Sequence, residues 1–280
     1  MKRTLPLGFS FLYFGARTTE MHAPWFGRLA HHGYQGAELP LAGATEADLR
    51  FLRGALRDAG LRATGVGFAT PEANPIAAEA AVRARAVDHL VLLAERAAAI
   101  GAEVVAGPMH SAYGVFPGHG PTRDEFARCV EVLQRAGERI APLGVKLAME
   151  PLNRFECYFL NTAAQCWELV RAVGHPNIVG ALDTHHAHLE EDDAIDAILA
   201  GKGALGHVQL SENHRGTPGR GQVDFVATRK ALERIGYDGW LVVECFSRRD
   251  PEFGNGLRIW RELDGGAEEV LAAGAALLRD

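Results

Sequence analysis

Short apolar runs alternate with longer amphipathic segments along the chain. Most runs are bounded by Gly or Pro and many are rich in Val, which suits buried parallel strands better than helices. The predicted strands lie at residues 5–10, 36–39, 62–67, 103–106, 146–150, 178–183, 206–210 and 240–245.

The segments between these runs carry the start and stop signals of helices. Thr45 precedes an acidic first turn, as an N-cap residue does, and Gly101 follows a long segment rich in Ala, Leu and Arg. Phe126, Val130 and Leu133 recur at helical spacing in a third segment. The predicted helices span residues 45–59, 77–100, 122–141, 162–173, 192–199, 224–235 and 266–278.

Strands that alternate with helices in this way indicate a parallel α/β architecture. A doubly wound sheet would need a Gly-rich phosphate loop after its first strand, and residues 5–17 contain no G-x-G-x-x-G motif. The length of 280 residues also fits one (β/α)8 barrel, which takes about 250 residues. We therefore predict a single TIM-barrel domain over residues 1–280.

Composition and charge argue against several classes of protein. A net charge of −6 disfavours a nucleic-acid partner, because phosphate backbones are bound by basic surfaces. The four cysteines show no C-x-x-C spacing and are expected to be free thiols in a reducing compartment. The N-terminus lacks the apolar run of a signal peptide, and no stretch approaches the roughly 20 apolar residues of a membrane span. We expect a cytoplasmic protein with no membrane partner.

Four of the later predicted strands bring polar side chains to their C-terminal ends, where the active sites of TIM barrels lie. The fifth strand ends at Glu150, the sixth at Asp183 and the eighth at Glu244. The seventh carries His207 and Gln209 on one face, since side chains two residues apart in a strand point the same way.

Three carboxylates that converge on one barrel mouth repel each other unless a cation neutralises them. Carboxylate and amide oxygens suit one divalent ion such as Mn²⁺ or Mg²⁺. The predicted metal ligands are Glu150, Asp183, Gln209 and Glu244. Two alternatives stay open: each acid pairs with a nearby Arg or Lys, or His207 replaces Gln209 as the ligand.

Histidines and arginines crowd the segments after the sixth, fifth and seventh strands. His185, His186 and His188 follow Asp183 in an expected loop, and of these we single out His186 for contact with substrate oxygens. Spacing alone cannot distinguish the arginines from solvated surface groups. These arginines are Arg154, Arg215 and Arg220.

Four motifs carry a resemblance that covers essentially the whole chain. They read Glu-Pro-Leu-Asn-Arg-Phe-Glu at 150–156, Asp-Thr-His-His at 183–186, Gln-Leu-Ser-Glu-Asn-His-Arg-Gly-Thr-Pro-Gly-Arg-Gly at 209–221 and Val-Val-Glu-Cys-Phe at 242–246. In this order they resemble the xylose-isomerase-like barrels of the sugar phosphate isomerase/epimerase superfamily, and most of all its ketose 3-epimerase branch.

The resemblance implies a metal site and a substrate site. In the family two glutamates, an aspartate and a seventh-strand histidine hold the metal. Gln209 stands at the histidine position, and a glutamine there is similar to the hydroxypyruvate isomerase branch. The resemblance implies that the substrate contacts Glu156, His186 and Arg215. Barrels of this family often pair, so we also expect a homodimer.

The implied chemistry is proton transfer through an enediolate of a small ketose. Glu150 and Glu244 would act as the catalytic pair, one removing a carbon-bound proton and the other returning it on the opposite face, which favours 3-epimerisation. The alternatives are a hydroxypyruvate-type aldose–ketose isomerase, a metal-dependent dehydratase of a cyclic polyol and a non-catalytic sugar-binding barrel. A DNA-repair endonuclease on this scaffold is disfavoured by the acidic charge and by too few strand-end histidines.

Overall fold

A computed structural model describes residues 5–277 of the chain. Within these residues eight parallel strands close into a barrel in chain order, with the last strand beside the first. The strands are β1 (Leu7–Ser10), β2 (Gly36–Pro40), β3 (Arg62–Val66), β4 (Ala102–Gly107), β5 (Lys146–Met149), β6 (Ile178–Asp183), β7 (Leu205–Leu210) and β8 (Leu241–Val243). The predicted TIM barrel is confirmed, and every predicted strand overlaps an observed one.

Helices surround this barrel. They are α1 (Ala23–His32), α2 (Glu46–Ala59), α3 (Ala80–Ala99), α4 (Arg123–Ile140), α5 (Ala163–Val173), α6 (Thr184–Glu190), α7 (Ala194–Ala200), α8 (Phe225–Ile235), α9 (Pro251–Gly256) and α10 (Ala267–Ala276). The predicted helices are found with small shifts at their ends. Leu278, the predicted end of the last helix, lies outside the described residues.

Side-chain caps explain where several helices begin. Thr45, Thr122 and Thr162 each accept a backbone N–H of the first turn, and the third residue of each helix bonds back to the threonine N–H. The long helix α3 ends before Gly101, which adopts a left-handed φ of 76°. These sequence signals therefore correspond to real helix ends.

One predicted loop is wrong. Residues 184–190 form helix α6, because the Asp183 carboxylate at the end of β6 accepts the backbone N–H of His185 at 2.6 Å and caps the first turn. This helix turns the side chain of His186 toward the barrel mouth. Helices α1 and α9 also lie outside the predicted set.

Small side chains and one large indole fill the lower part of the barrel interior. Trp240 lies just before β8, and its ring occupies the space that a Cβ at Gly36 would need, 2.5 Å away. Interior residues of β4, β5, β6 and β8 pack around the indole. They are Val104, Ala106, Ala148, Ala181 and Val242. Because Trp240 and the residues around it fill the lower part, polar side chains can occupy the C-terminal half of the interior.

Two features discussed from composition can be located in the structure. Cys129, Cys157, Cys166 and Cys245 are free and buried. Among residues 5–277 no helix combines the length and the apolar character needed to cross a bilayer.

Candidate active site

All seven predicted site residues lie at the C-terminal mouth of the barrel, in one connected network. Five of them line a cavity of about 470 Å³. These five are Glu150, Glu156, His186, Arg215 and Glu244. Asp183 and Gln209 lie behind the cavity wall, where they contact Arg215 and Glu244 respectively.

The three strand-end carboxylates are buried and close together. Oxygen atoms of Glu150 and Asp183 and a ring nitrogen of His186 lie within 4.8 Å of one another. Arg215 Nη1 donates to Asp183 Oδ2 at 2.6 Å and to Glu244 Oε2 at 2.7 Å. The alternative of acid–arginine pairing is therefore realised for two of the three acids. Glu150 instead faces His186 Nε2 at 3.5 Å.

Burial and mutual repulsion divide the acids into two kinds. Burial first, and then the charge of Asp183, hold the pKa of Glu150 well above 4.5. The pKa of Glu244 is also held well above 4.5 by burial, although Arg215 opposes the shift. Burial acts to raise the pKa of Asp183 too, but Arg215 together with the neighbouring His186 and His185 outweighs burial and lowers that pKa. The site thus contains one firmly charged acid and two that hold protons more readily.

Gln209 bonds to a carboxylate that the sequence reasoning missed. Its Nε2 donates to Glu38 Oε1 at 3.0 Å and to Glu244 Oε1 at 2.9 Å. Among the described residues its buried Oε1 has no hydrogen-bond partner. Glu38 lies on β2, and an acid within the predicted buried run at 36–39 was the available signal, because a buried carboxylate needs specific partners.

His207 contacts Glu38 and not the three strand-end acids. Its Nε2 lies 2.8 Å from Glu38 Oε2, and both side chains are fully buried. The carboxylate of Glu38 accepts a third bond from Thr64 Oγ1 at 3.3 Å. Seen from the mouth, His207 lies one layer deeper than Gln209 because it is two residues earlier on the same face of β7.

His186 and Glu156 are joined by Asn153, another residue that the sequence reasoning did not single out. The backbone N–H and the side-chain amide of Asn153 approach His186 Nδ1 at 2.9 and 3.0 Å. The same amide donates to Glu156 Oε1 at 2.8 Å, and Tyr113 donates its hydroxyl to Glu156 Oε2 at 3.3 Å. The position of Asn153 within the motif at 150–156 was its signal.

Hydrogen-bond donors on both sides of the His186 ring compete for its one acceptor nitrogen. Arg215 Nη2 lies 2.9 Å from His186 Nε2, on the side opposite Asn153. A neutral imidazole has one acceptor nitrogen, so the ring cannot satisfy both sides at once. An oxygen atom of a ligand placed between Arg215 and His186 would accept a hydrogen bond from each.

The backbone at Arg215 holds its side chain over the cavity. Arg215 adopts a φ of 63°, in the left-handed region that side chains disfavour. Its guanidinium lies 4.6 Å from the ring centroid of Phe246, and its carbonyl accepts the Phe246 N–H. By contrast, Arg154 pairs with Glu190 and Arg220 with Glu269 away from the cavity. Position therefore separates Arg215 from the other two arginines.

The donor set fits a hard divalent cation. Carboxylate oxygens of Glu150 and Asp183 lie close together, and Arg215 Nη1 links Asp183 to Glu244. Gln209, which contacts Glu244 through Nε2, adds a buried neutral oxygen, Oε1, that has no hydrogen-bond partner among the described residues. Such oxygen-rich sites favour Mn²⁺ or Mg²⁺ over softer metals. A ring nitrogen of His186 lies within 4.8 Å of the oxygens of Glu150 and Asp183.

The remainder of the cavity wall is mainly apolar. It includes Leu12, Val66, Phe68, Pro108, Leu152 and Phe253. Among the lining residues of the described chain, Arg215 is the one cation, and it is outnumbered by carboxylates. Asp250 and Glu252 add to the three glutamates already named. This charge balance disfavours anionic ligands.

Comparisons with known proteins agree with this geometry. The family described as the xylose isomerase-like TIM barrel matches residues 26–279. A ketose 3-epimerase of Arthrobacter globiformis is 33% identical over 251 residues, which cover 89% of this chain and 86% of the relative. A D-psicose 3-epimerase of Agrobacterium fabrum is 30% identical over 266 residues, which cover 93% and 92% of the two chains.

A solved structure extends the agreement to the fold. The D-allulose 3-epimerase from Methylomonas sp. in complex with D-allulose superposes with a TM-score of 0.89 at 28% identity, covering 98% of this chain and 95% of the other. The resemblance drawn from the four motifs is thereby confirmed. The chain belongs to the xylose isomerase-like TIM-barrel family, in the branch of isomerases formed by the ketose 3-epimerases.

Proposed function

We propose that this protein inverts C3 of a small, unphosphorylated ketose. One glutamate removes a proton from C3 and a second glutamate returns a proton on the opposite face. The observation that carries the proposal is that Glu150 and Glu244 reach the same cavity from β5 and β8, three strands apart in a ring of eight. Both carboxyls have a pKa well above 4.5. Groups of this kind exchange protons with carbon acids near neutral pH.

The proposed metal ligands are Glu150, Asp183, Gln209 and Glu244. A divalent ion held there would polarise the substrate carbonyl and acidify the neighbouring C–H bond. Asp183 contributes a fixed negative charge, since its pKa is held low by Arg215. Gln209 contributes a neutral oxygen, so the ligand shell carries one charge fewer than four carboxylates would.

The proton steps fall to the two glutamates. One glutamate, in its ionised form, would remove the proton from C3, and the other, in its protonated form, would deliver its proton to the opposite face, which inverts the carbon and exchanges the protonation states of the two glutamates. Arg215 and His186 lie side by side and would share an oxygen of the enediolate by charge-assisted hydrogen bonds. Glu156, held by Asn153 and Tyr113, would accept from a substrate hydroxyl.

The lining charges support a free ketose over a sugar phosphate. A phosphate group needs several cationic or backbone donors, and the cavity offers Arg215 beside five carboxylates. The relatives include a D-psicose and an L-ribulose 3-epimerase, whose names refer to unphosphorylated ketoses. The substrate class proposed here is therefore a neutral ketopentose or ketohexose.

A second candidate function is aldose–ketose isomerisation. It is favoured by Gln209, which stands where the epimerases carry a histidine and the hydroxypyruvate isomerase branch carries a glutamine. The same two glutamates would then move a proton between neighbouring carbons, with no inversion at C3.

Deuterium incorporation distinguishes the two reactions. The Mn²⁺-loaded enzyme is incubated in ²H₂O with a panel of free ketoses and their phosphates, and nuclear magnetic resonance locates the label. Label at C3 of a free ketose supports the proposal. Label at C1 alone would favour the isomerase. Absence of exchange with every free ketose would contradict both.

Replacement of Glu150 tests the proton-transfer role. Glu150→Gln keeps the shape and an oxygen ligand but removes the base, so kcat is expected to fall by about 10²–10⁴-fold. Glu103→Gln is the matched control, because Glu103 is exposed near the opposite end of the barrel and pairs with Arg62. Equal activity of Glu150→Gln and wild type would overturn the role.

Four further expectations stay predictions. They are the native metal, the homodimer, the cytoplasmic location and the single-domain extent.

A further inference from the structure

A buried carboxylate outside the proposed ligand set lies directly beneath Gln209. Glu38 is at the third position of β2 and has no exposed surface. Its two oxygens take bonds from three side chains on β3 and β7, namely Thr64, His207 and Gln209. The mechanism above gives this acid no role, although it sits among the groups that raise the pKa of Glu150 and Glu244.

The chemistry of a carboxylate dictates how the Gln209 amide is turned. An ionised carboxylate only accepts hydrogen bonds, whereas an amide has one donating and one accepting end. The amide must therefore present its NH₂ group to Glu38 Oε1, and it does so at 3.0 Å. The bond from His207 Nε2 to Glu38 Oε2 fixes the carboxylate in turn.

The orientation of this amide decides whether position 209 can ligate a metal. A glutamine binds a hard cation through its oxygen and not through its NH₂ group. With the nitrogen committed to Glu38 Oε1 and to Glu244 Oε1, the oxygen is left free, and Gln209 Oε1 is buried without a hydrogen-bond partner among residues 5–277. A rotated amide would direct its nitrogen at the metal and its oxygen at a carboxylate, which is doubly unfavourable.

We infer that Glu38 is a positioning residue that selects the oxygen of Gln209 as the fourth metal ligand, with His207 holding Glu38 in place. This inference rests on the proposed metal site. It gives a role to the buried pair formed by Glu38 on β2 and His207 on β7. It also accounts for a neutral amide at a position where the ketose 3-epimerase pattern has a histidine, because an amide needs a partner to set its direction.

The test measures Mn²⁺ affinity by titration calorimetry and by the electron paramagnetic resonance signal of free Mn²⁺, so it does not depend on turnover. Glu38→Gln keeps the shape of the side chain but replaces a carboxylate, which only accepts hydrogen bonds, by an amide that can also donate. Glu38→Asp keeps the negative charge but moves it away from the Gln209 amide, because the side chain is one methylene shorter. Both are expected to weaken binding by about 10–100-fold. Thr64→Val is the matched control, since it removes a bond to the same carboxylate without touching Gln209, and its affinity should equal that of wild type.

A rescue variant separates positioning from a general loss of packing. In the double variant E38Q/Q209E the new amide at position 38 can donate to the new carboxylate at position 209, whose other oxygen faces the metal. Affinity should recover to within a few fold of wild type. Circular dichroism of each metal-free variant reports folding, and Glu38→Asp with the double variant carries the test if Glu38→Gln does not fold.

Each result bears on a different claim. Wild-type affinity in Glu38→Gln would overturn the inference and leave the metal site intact. Wild-type affinity in Glu38→Asp alone would show that charge and not hydrogen bonding matters, which also overturns it. Failure of wild type to bind Mn²⁺ would overturn the metal site and the inference together.

Discussion

Asn153 is a single residue that links two groups of the cavity, Glu156 in the segment after β5 and His186 in α6. Its side-chain amide lies between His186 Nδ1 and Glu156 Oε1, at 3.0 and 2.8 Å. Two donors on one ring nitrogen keep the His186 ring facing Arg215 and the cavity. Preorganisation of this kind is where much of the catalytic advantage of an enzyme site arises.

Removal of this link is expected to slow the reaction more than it weakens the fold. Asn153→Ala removes the side-chain amide that Glu156 and His186 share and leaves only the backbone N–H on His186. We therefore expect kcat/KM to fall about 10–100-fold, or about 1.4–2.7 kcal/mol. Steady-state kinetics with the best ketose of the panel measures the loss. Asn177→Ala is the control, because the side-chain amide of Asn177 also donates a tertiary hydrogen bond, to the carbonyl of Val145, but at the other end of the barrel. Equal losses in both variants would contradict a catalytic role.

At the residue scale, sequence reasoning found the acids at strand ends but not the groups that hold them. Glu150, Asp183 and Glu244 stand out because each interrupts an apolar run at a place where barrels keep their active sites. Glu38 and Asn153 act through partners 171 and 33 residues away in the chain, Gln209 and His186. Their importance depends on tertiary distances that no local pattern contains.

At the scale of elements, the segment after β7 determines where Arg215 lies. Glu212 is almost fully buried, and its carboxylate accepts the backbone N–H of Gly219 at 2.7 Å. A Cβ at Gly221 would lie 2.0 Å from Glu212 Oε2, so this glycine gives the carboxylate its space. The loop thus folds back on an acid three residues before Arg215.

Crowding of that carboxylate should loosen the loop. Gly221→Ala is expected to displace Glu212 from its amide partners, lowering the free energy of unfolding by about 1–3 kcal/mol. The KM for the ketose should rise as well, since Arg215 is less well held. Thermal unfolding and kinetics check the two effects. Gly120→Ala, with no heavy atom within 4 Å of the added Cβ, should change neither quantity. A Gly221→Ala enzyme with wild-type KM would refute the argument.

Helix α6 shows why one element could not be predicted. Residues 184–190 are rich in His, and neither length nor apolar spacing marks them as a helix. The helix exists because Asp183 caps it at the end of β6 and because Thr184 donates its hydroxyl to the carbonyl of Ser211 on the neighbouring segment. Both causes are tertiary or depend on the exact end of a strand. Helices with threonine caps and clear acidic first turns, by contrast, were predictable.

At the scale of the whole molecule, the barrel itself follows from the chain pattern. Alternating strands and helices leave few topologies, and parallel strands joined by right-handed crossovers close readily at eight. The interior is less predictable, since Trp240 at the base fits only because Gly36 faces it. Sequence alone does not show which small residue meets which large one.

The amount by which a bound metal stabilises the fold should depend on pH. Glu150 and Glu244 have folded-state pKa values above the ordinary 4.5, so they stabilise the metal-free protein at low pH and lose this contribution as pH rises through the raised values. A divalent ion binds their ionised forms. The increase in Tm caused by Mn²⁺ should therefore grow as the pH rises above 4.5 and through the raised pKa values.

Differential scanning fluorimetry with Mn²⁺ or with chelator measures this increase at each pH. Asp183 does not disturb the trend, because its pKa is lowered and its contribution is lost only on acidification below 3.8. The double variant E150Q/E244Q should flatten the dependence. An Mn²⁺-induced increase that is constant or falls with pH would contradict the linkage.

The four buried cysteines have a practical consequence for the whole barrel. They are distributed over α4, the loop after β5, α5 and the end of β8, and burial raises the pKa of Cys166 to about 12. A thiol reagent attacks the exposed thiolate, so the native barrel shields every one of these groups. The rate at which a reagent labels them under native conditions is then a measure of how often the barrel opens. Labelling of the four native thiols can therefore report unfolding at positions from the middle of the chain to the segment just after β8.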